Sequence, residues 1–209
     1  MTKSFSKYDL LSQEYISQFK RAFSKWIHPD IATLTLEIPY YDYLRGMVFI
    51  DDIKKVYEEE APEEINVSSL LTLLHDDFLY HTQKGVRTHQ ETASILLNGK
   101  LNYLNSSKPK SKVQIKQVQA RTFIFDYEEE EEEEELEDVA IIDISMRKSQ
   151  LQRTEILLYD LSQHMEDTRI TVEELMMVLY LDFINRIKKD GNDPKLMKSI
   201  IKSFEFHNK

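Results

Sequence analysis

His75, Asp76 and Asp77 stand in a row, with His81 and His89 further along the chain. Imidazole nitrogens and carboxylate oxygens are ligands for divalent metals. An adjacent His and Asp on a helix is the centre of one arrangement that sets a metal over a phosphate ester. That chemistry needs further His and Asp ligands from neighbouring helices. His28 lies 47 residues upstream, and no later Asp on a predicted helix completes the set. A magnesium site of the Asp-rich kind would need a second such motif, which the chain lacks. His75, Asp76 and His81 are therefore the metal candidates. The preferred reading has no metal and no cofactor: a helix with a buried Leu face and a partly solvated His-Asp-Asp turn.

Other chemistries lack their residues. The chain has no cysteine, which removes disulfides, Cys-ligated zinc, iron–sulfur clusters and thiol nucleophiles. Its 4 glycines are isolated, so no Gly-rich loop can cradle a phosphate, and no G-x-S-x-G elbow occurs. The composition holds 1 Trp, 11 Tyr and 10 Phe, too aromatic for a generically disordered chain. No stretch is long and apolar enough for a membrane span, and the first residues carry no signal-peptide pattern. With the absence of cysteine, this leads to the expectation of a cytoplasmic protein without a membrane role.

The charge is unevenly placed. Residues 126–138 hold 11 acids and no base, and eight of them are consecutive: Glu128, Glu129, Glu130, Glu131, Glu132, Glu133, Glu134 and Glu135. Setting these 11 aside leaves 26 acidic residues against 27 basic ones in a chain of net charge −10. Residues 100–125 carry six bases and no acid, so a basic block runs straight into the acidic one. Like charges at this density repel and stay hydrated, which reads as a solvated loop. The same run can act as an electrostatic element toward a basic surface.

The elements that would position these residues follow from periodicity. Residues 6–27 repeat aromatic positions at helical steps, and His28-Pro29 ends them. Residues 32–38 alternate as a strand, closed by Pro39. Tyr40, Tyr41 and Tyr43 then cluster, either capping the core at the strand–helix junction or offering interface area with a polar tip. Residues 47–60 read as a short strand running into a helix, or as one helix. Asn66 is an N-cap for a helix over 67–83, and 88–98 form another, stopped by Gly99. The polar, Pro-bearing segment 104–112 is the best internal boundary. Residues 113–127 and 136–146 predict two strands joined by the acidic run as a hairpin with an oversized loop.

Three helices follow, over 148–164, 172–189 and 194–205. Thr171, Glu174 and the Ile170/Leu175 pair make a complete helix-start signal. The 172–189 helix is apolar on two sides, with Leu175, Met176, Leu179 and Phe183 on one and Met177, Tyr180, Leu181 and Ile184 on the other. Such a helix lies at a bundle centre or in an oligomer interface. Exposure of the second stripe would predict a homodimer through it.

The expected fold is α+β and mainly α: a helical bundle with a small antiparallel β-hairpin carrying the long acidic loop. Its parts are a helical region with a short strand over 1–104, the hairpin over 113–146 with its loop at 126–138, and a helical region over 147–209, forming one cooperative unit. The expected function is that of a non-enzymatic regulatory or adaptor protein whose partner is a protein with a basic surface. Met177, Tyr180, Leu181, Ile184, Tyr40, Tyr41 and Tyr43 are the candidate interaction residues. One alternative is a nucleic-acid-associated protein using a helix-turn-helix-like C-terminal region, whose last helix presents Lys195, Lys198 and Lys202. The other is an HD-type metal-dependent phosphohydrolase built on His75 and Asp76.

Overall fold

The structure, a computed structural model, describes residues 30–104, 112–119, 122–128, 139–166 and 168–207. The helix expected over 7–26 and residues 129–138 of the acidic run lie outside them. The described elements are β1 (Ile31–Pro39), α1 (Tyr40–Val56), α2 (Val67–Gln83), α3 (His89–Gly99), a π-helical turn (Lys100–Leu104), β2 (Lys112–Gln119), β3 (Thr122–Glu128), β4 (Val139–Arg147), α4 (Lys148–Ser162), α5 (Val172–Asp190) and α6 (Pro194–His207). The class is α+β and mainly α, with antiparallel strand pairs.

Helix starts are fixed by local hydrogen bonds. Asn66 Oδ1 accepts from the Ser69 amide at 2.9 Å while Ser69 Oγ accepts from the Asn66 amide at 2.8 Å, a reciprocal cap that opens α2. Thr88 and Glu91 do the same for α3. The Thr88 backbone bond to the Glu91 carboxylate is the main cause holding Glu91 below the usual carboxylate range. At α5, Thr171 Oγ1 accepts from the Glu174 amide and Glu174 accepts from the Thr171 amide. Lys100 adds a 2.8 Å ion pair to Glu174 and donates to the Arg169 carbonyl, tying the π-helical turn to the same helix end.

α1 starts at Tyr40, directly after Pro39, and runs as one helix; the 47–60 reading placed its beginning too late. Proline has no N–H for a ladder, so it ends the strand where the helix begins.

The strand pairing departs from expectation. The hairpin across the acidic run does not form. β2 pairs with β3, and β4 pairs with β1 in an antiparallel register from Ile31↔Arg147 to Pro39↔Val139. The cause is burial. β1 turns Leu34, Leu36 and Ile38 inward; β4 turns Ile142, Ile144 and Met146 inward. Two strands with one apolar face each make one sheet side that the helices can cover. Residues 113–127, read as a single strand, are instead two strands of a tight hairpin. The ladder shifts register between Gln117 and Gln119, which leaves Val118 without a partner and accounts for the imperfect alternation there.

α5 lies at the centre, against α1, α2, α3, α4, β1 and the π-helical turn. Its Tyr180 is fully buried, and Phe183 meets Phe49 of α1 edge to face at 5.2 Å. Two neighbours come so close that only glycine fits: Gly46 faces the Tyr180 hydroxyl, and Gly99 faces Val178 Cγ1.

Candidate functional site

The His-Asp pair does not build a reaction centre. His75 is fully buried on α2, with Nε2 at 2.8 Å from Thr154 Oγ1 of α4. Thr154 also donates to the Gln150 carbonyl at 2.9 Å. Both contacts are met at once only if His75 Nε2 carries the proton and donates it to Thr154. Nδ1 lies 3.4 Å from Asp76 Oδ1, and the same carboxylate oxygen accepts from Gln150 Nε2 at 2.9 Å.

The order carboxylate, imidazole, hydroxyl resembles a nucleophile relay. Thr154 is nevertheless fully buried, and its proton already has a carbonyl acceptor, so no substrate reaches an activated oxygen. His81 lies apart and exposed, donating to the Asp77 carbonyl at 2.9 Å. Among the described residues, no three His, Asp or Glu side chains gather as a metal site.

The apolar candidates divide. Tyr180, Leu181 and Ile184 are core residues, and Met177 is half-buried against the same core, as is Leu179. The second stripe of α5 is thus covered by the chain itself and offers no dimer face. The reason is position: helices and a strand surround α5, so both stripes find partners within one molecule. The Tyr180 hydroxyl donates to the Asp42 carbonyl at 3.0 Å. Burial, then the Asp42 charge and Tyr43, push its phenol well above the ordinary tyrosine value.

The tyrosine cluster splits as well. Tyr43 is half-buried against the core, whereas Tyr40 and Tyr41 face solvent, and Tyr41 is 72% exposed. The two outward rings meet edge to face with centroids 6.1 Å apart.

What surrounds them is set by the sheet. Pro39 is opposite Val139, so the first residue of β4 sits beside the strand end that leads into Tyr40. Val139 is half-exposed, and Ile141 is 70% exposed opposite the outward Glu37. The register therefore sets Val139, which follows directly on the acidic run in the chain, beside the strand end that leads into the exposed tyrosine pair. On α1 and α5, Arg45 and Lys188 both pair with Asp42, at 2.8 and 2.7 Å. Val139 and Ile141 escaped the sequence reading because their outward direction becomes visible only once β1 is known as the partner strand.

Elsewhere, Lys195, Lys198 and Lys202 lie exposed along α6, with Lys198 also placed over the Tyr57 ring at 5.8 Å. α5, which would accompany α6 in a helix-turn-helix, is enclosed on nearly all sides. No helix among the described residues is long and apolar enough to cross a membrane. In comparisons with protein-family models, curated proteins and solved structures, nothing matches this chain.

Proposed function

We propose that the chain is a non-enzymatic adaptor or regulatory protein of the cytoplasm that engages a protein partner with a basic surface. The partner is held at the corner where β1 passes into α1 and the acidic run passes into β4. One observation carries this reading: the Pro39↔Val139 register, which sets the exposed Val139, the residue that directly follows the 11-acid stretch in the chain, beside the strand end that leads into the exposed Tyr40 and Tyr41.

Tyrosines bring large contact area with few rotatable bonds, and they recur among the residues that dominate binding energy. Exposed Val139 and Ile141 extend that area. The acidic run supplies attraction at distance, which raises encounter rates and selects basic partners within a screening length of ~8 Å at physiological salt.

The test is a crosslinking capture with the full chain and two variants, Tyr40→Ser/Tyr41→Ser and Glu-to-Gln throughout 128–135. The reading expects one partner carrying a Lys/Arg-rich surface, lost with the tyrosine variant and weakened, more so at low salt, with the charge variant. A retained set identical for all three proteins contradicts it.

A further inference from the structure

We propose that the outer edge of β1 pairs with β1 of a second copy of this chain, giving a dimer whose sheet runs β4–β1–β1–β4. The ribbon's own hydrogen bonds leave that edge open. In an antiparallel ladder, alternate residues turn both backbone groups toward the partner strand or both away from it. The Lys148 amide donates to the Asp30 carbonyl at 2.8 Å, and the Asp143 carbonyl turns away from β1 to Ser68 Oγ at 3.3 Å. Both bonds fix the same alternation: Ala32, Leu34, Leu36 and Ile38 bond to β4, whereas Thr35 and Glu37 turn N–H and C=O outward. Among the described residues, no hydrogen bond reaches the backbone groups of Thr35 or Glu37.

The two edges of the ribbon differ. α2 packs against β4, and its Ser68 hydroxyl occupies the Asp143 carbonyl on the outer side of that strand. β1 has no such cover among the described residues. Exposed edges are ordinarily guarded by lysines, bulges or short strands. β1 is nine residues long, has no lysine, and keeps an unshifted register along its length. Only Glu37 and the terminal Pro39 restrain what pairs with it.

Those two residues select a second copy as the occupant. A two-fold axis through Thr35, the middle residue of Ile31–Pro39, sets odd positions opposite odd positions over the whole strand. Thr35 then meets Thr35 of the second copy, a favourable cross-strand pair, and each N–H of that pair finds the other copy's carbonyl. Glu37 falls opposite Thr33 of the second copy, and Leu34 opposite Leu36. An axis through Glu37 would oppose two carboxylates, which is destabilising, and every other shift shortens the ladder. Pro39, which has no N–H, falls at the ladder end opposite Ile31, where a missing bond costs least. Because α2 closes the β4 edge, pairing stops at two copies with one self-complementary interface rather than running on as a fibre. One strand pair falls short of the ~1,200–2,000 Å² that stable complexes bury, so the dimer is concentration-dependent.

Sedimentation equilibrium of the full chain is expected to show a reversible monomer–dimer equilibrium. Thr35→Pro spares the β1–β4 ladder, because the Thr35 N–H makes no bond within the molecule, but it removes both bonds of the central pair. That variant is expected to be monomeric at every concentration with unchanged helical content. Thr35→Lys, at an exposed position, sets like charges at the axis and is expected to weaken the dimer at least about tenfold; it carries the test if the proline variant does not fold. Single cysteines then read the register in a chain that has none. Thr35→Cys should oxidise to a disulfide-linked dimer. Glu37→Cys should not do so alone, but should crosslink when mixed with Thr33→Cys. A parent chain that stays monomeric, a dimer that both Thr35 variants leave intact, or Glu37→Cys crosslinking alone as fast as Thr35→Cys would each overturn the proposal.

Discussion

α5 and the β1–β4 ribbon are packed against each other yet meet the solvent in opposite ways. α5 is enclosed by five elements beside β1, and it meets water mainly through Asp182, Arg186 and its last turn. The ribbon buries one face and leaves the other outward, with Ile31, Val139 and Ile141 exposed. A helix surrounded on all sides is held by many contacts at once, so it has no surface left for recognition. A two-stranded ribbon with one free face keeps apolar area that its own chain, within the described residues, does not cover. Function is therefore sought on the ribbon and stability in α5.

The largest effect should come from charging the centre. Leu175→Asp places an unpaired carboxylate where the leucine is fully buried. The cost, about 3–5 kcal/mol, is a large share of a typical stability of ~5–15 kcal/mol. Urea denaturation should show loss of most or all folding. Ile141→Asp, equally drastic in chemistry but on the open face, should change stability by about 1 kcal/mol or less. Comparable losses at the two positions would erase the distinction between the regions.

Close backbone approach gives the next effect. Gly99→Ala drives a methyl into Val178 Cγ1. Alanine favours a helix by ~1 kcal/mol over glycine, but overpacking against a stiff β-branched side chain costs about 1–3 kcal/mol. Net destabilisation is expected, and Val178→Ala in the same chain should recover part of it. A smaller change is expected from Tyr180→Phe, which deletes the hydrogen bond to the Asp42 carbonyl for about 0.5–1.5 kcal/mol, whereas Tyr41→Phe should leave the melt unchanged.

The subtlest test is alkaline. Burial raises the folded pKa of Tyr180 above its unfolded value near 10. Its contribution to stability is thus complete below that pH and lost as pH rises further. Phenolate absorbance assigned by difference with Tyr180→Phe should appear together with unfolding. Ionisation well before unfolding would show that the phenol is open to water.

Much of the helical half is legible in the residues because its signals are local. Asn66 and Ser69, or Thr171 and Glu174, are three positions apart, and α2 covers the expected 67–83. Both stripes of 172–189 mark a central helix, as found. The sheet is less legible. β4 and β1 are each readable as one-faced strands, but nothing within either states that the other is its partner. The nearest strand in sequence is the wrong choice, because β3 is already paired with β2. His75 is misleading for the same reason: its partner Thr154 lies 79 positions away on α4. Tyr40 and Tyr41 were identifiable as interaction candidates, whereas their neighbours Val139 and Ile141 depend on a pairing seen only in three dimensions.

The exposed corner depends on the pairing of β1 with β4, and a chain without cysteine allows a clean measurement of it. The Asp143 carbonyl accepts from Ser68 at 3.3 Å and so faces away from β1. By the alternation of an antiparallel ladder, Glu37 and Ile141 form a non-hydrogen-bonded pair, whose close Cα atoms suit a disulfide. Glu37→Cys with Ile141→Cys should therefore oxidise readily to an intramolecular disulfide without loss of helical content. Failure of that pair to crosslink in the folded protein would contradict the register, and with it the placement of Val139 and Ile141 beside the strand that leads into the exposed tyrosines.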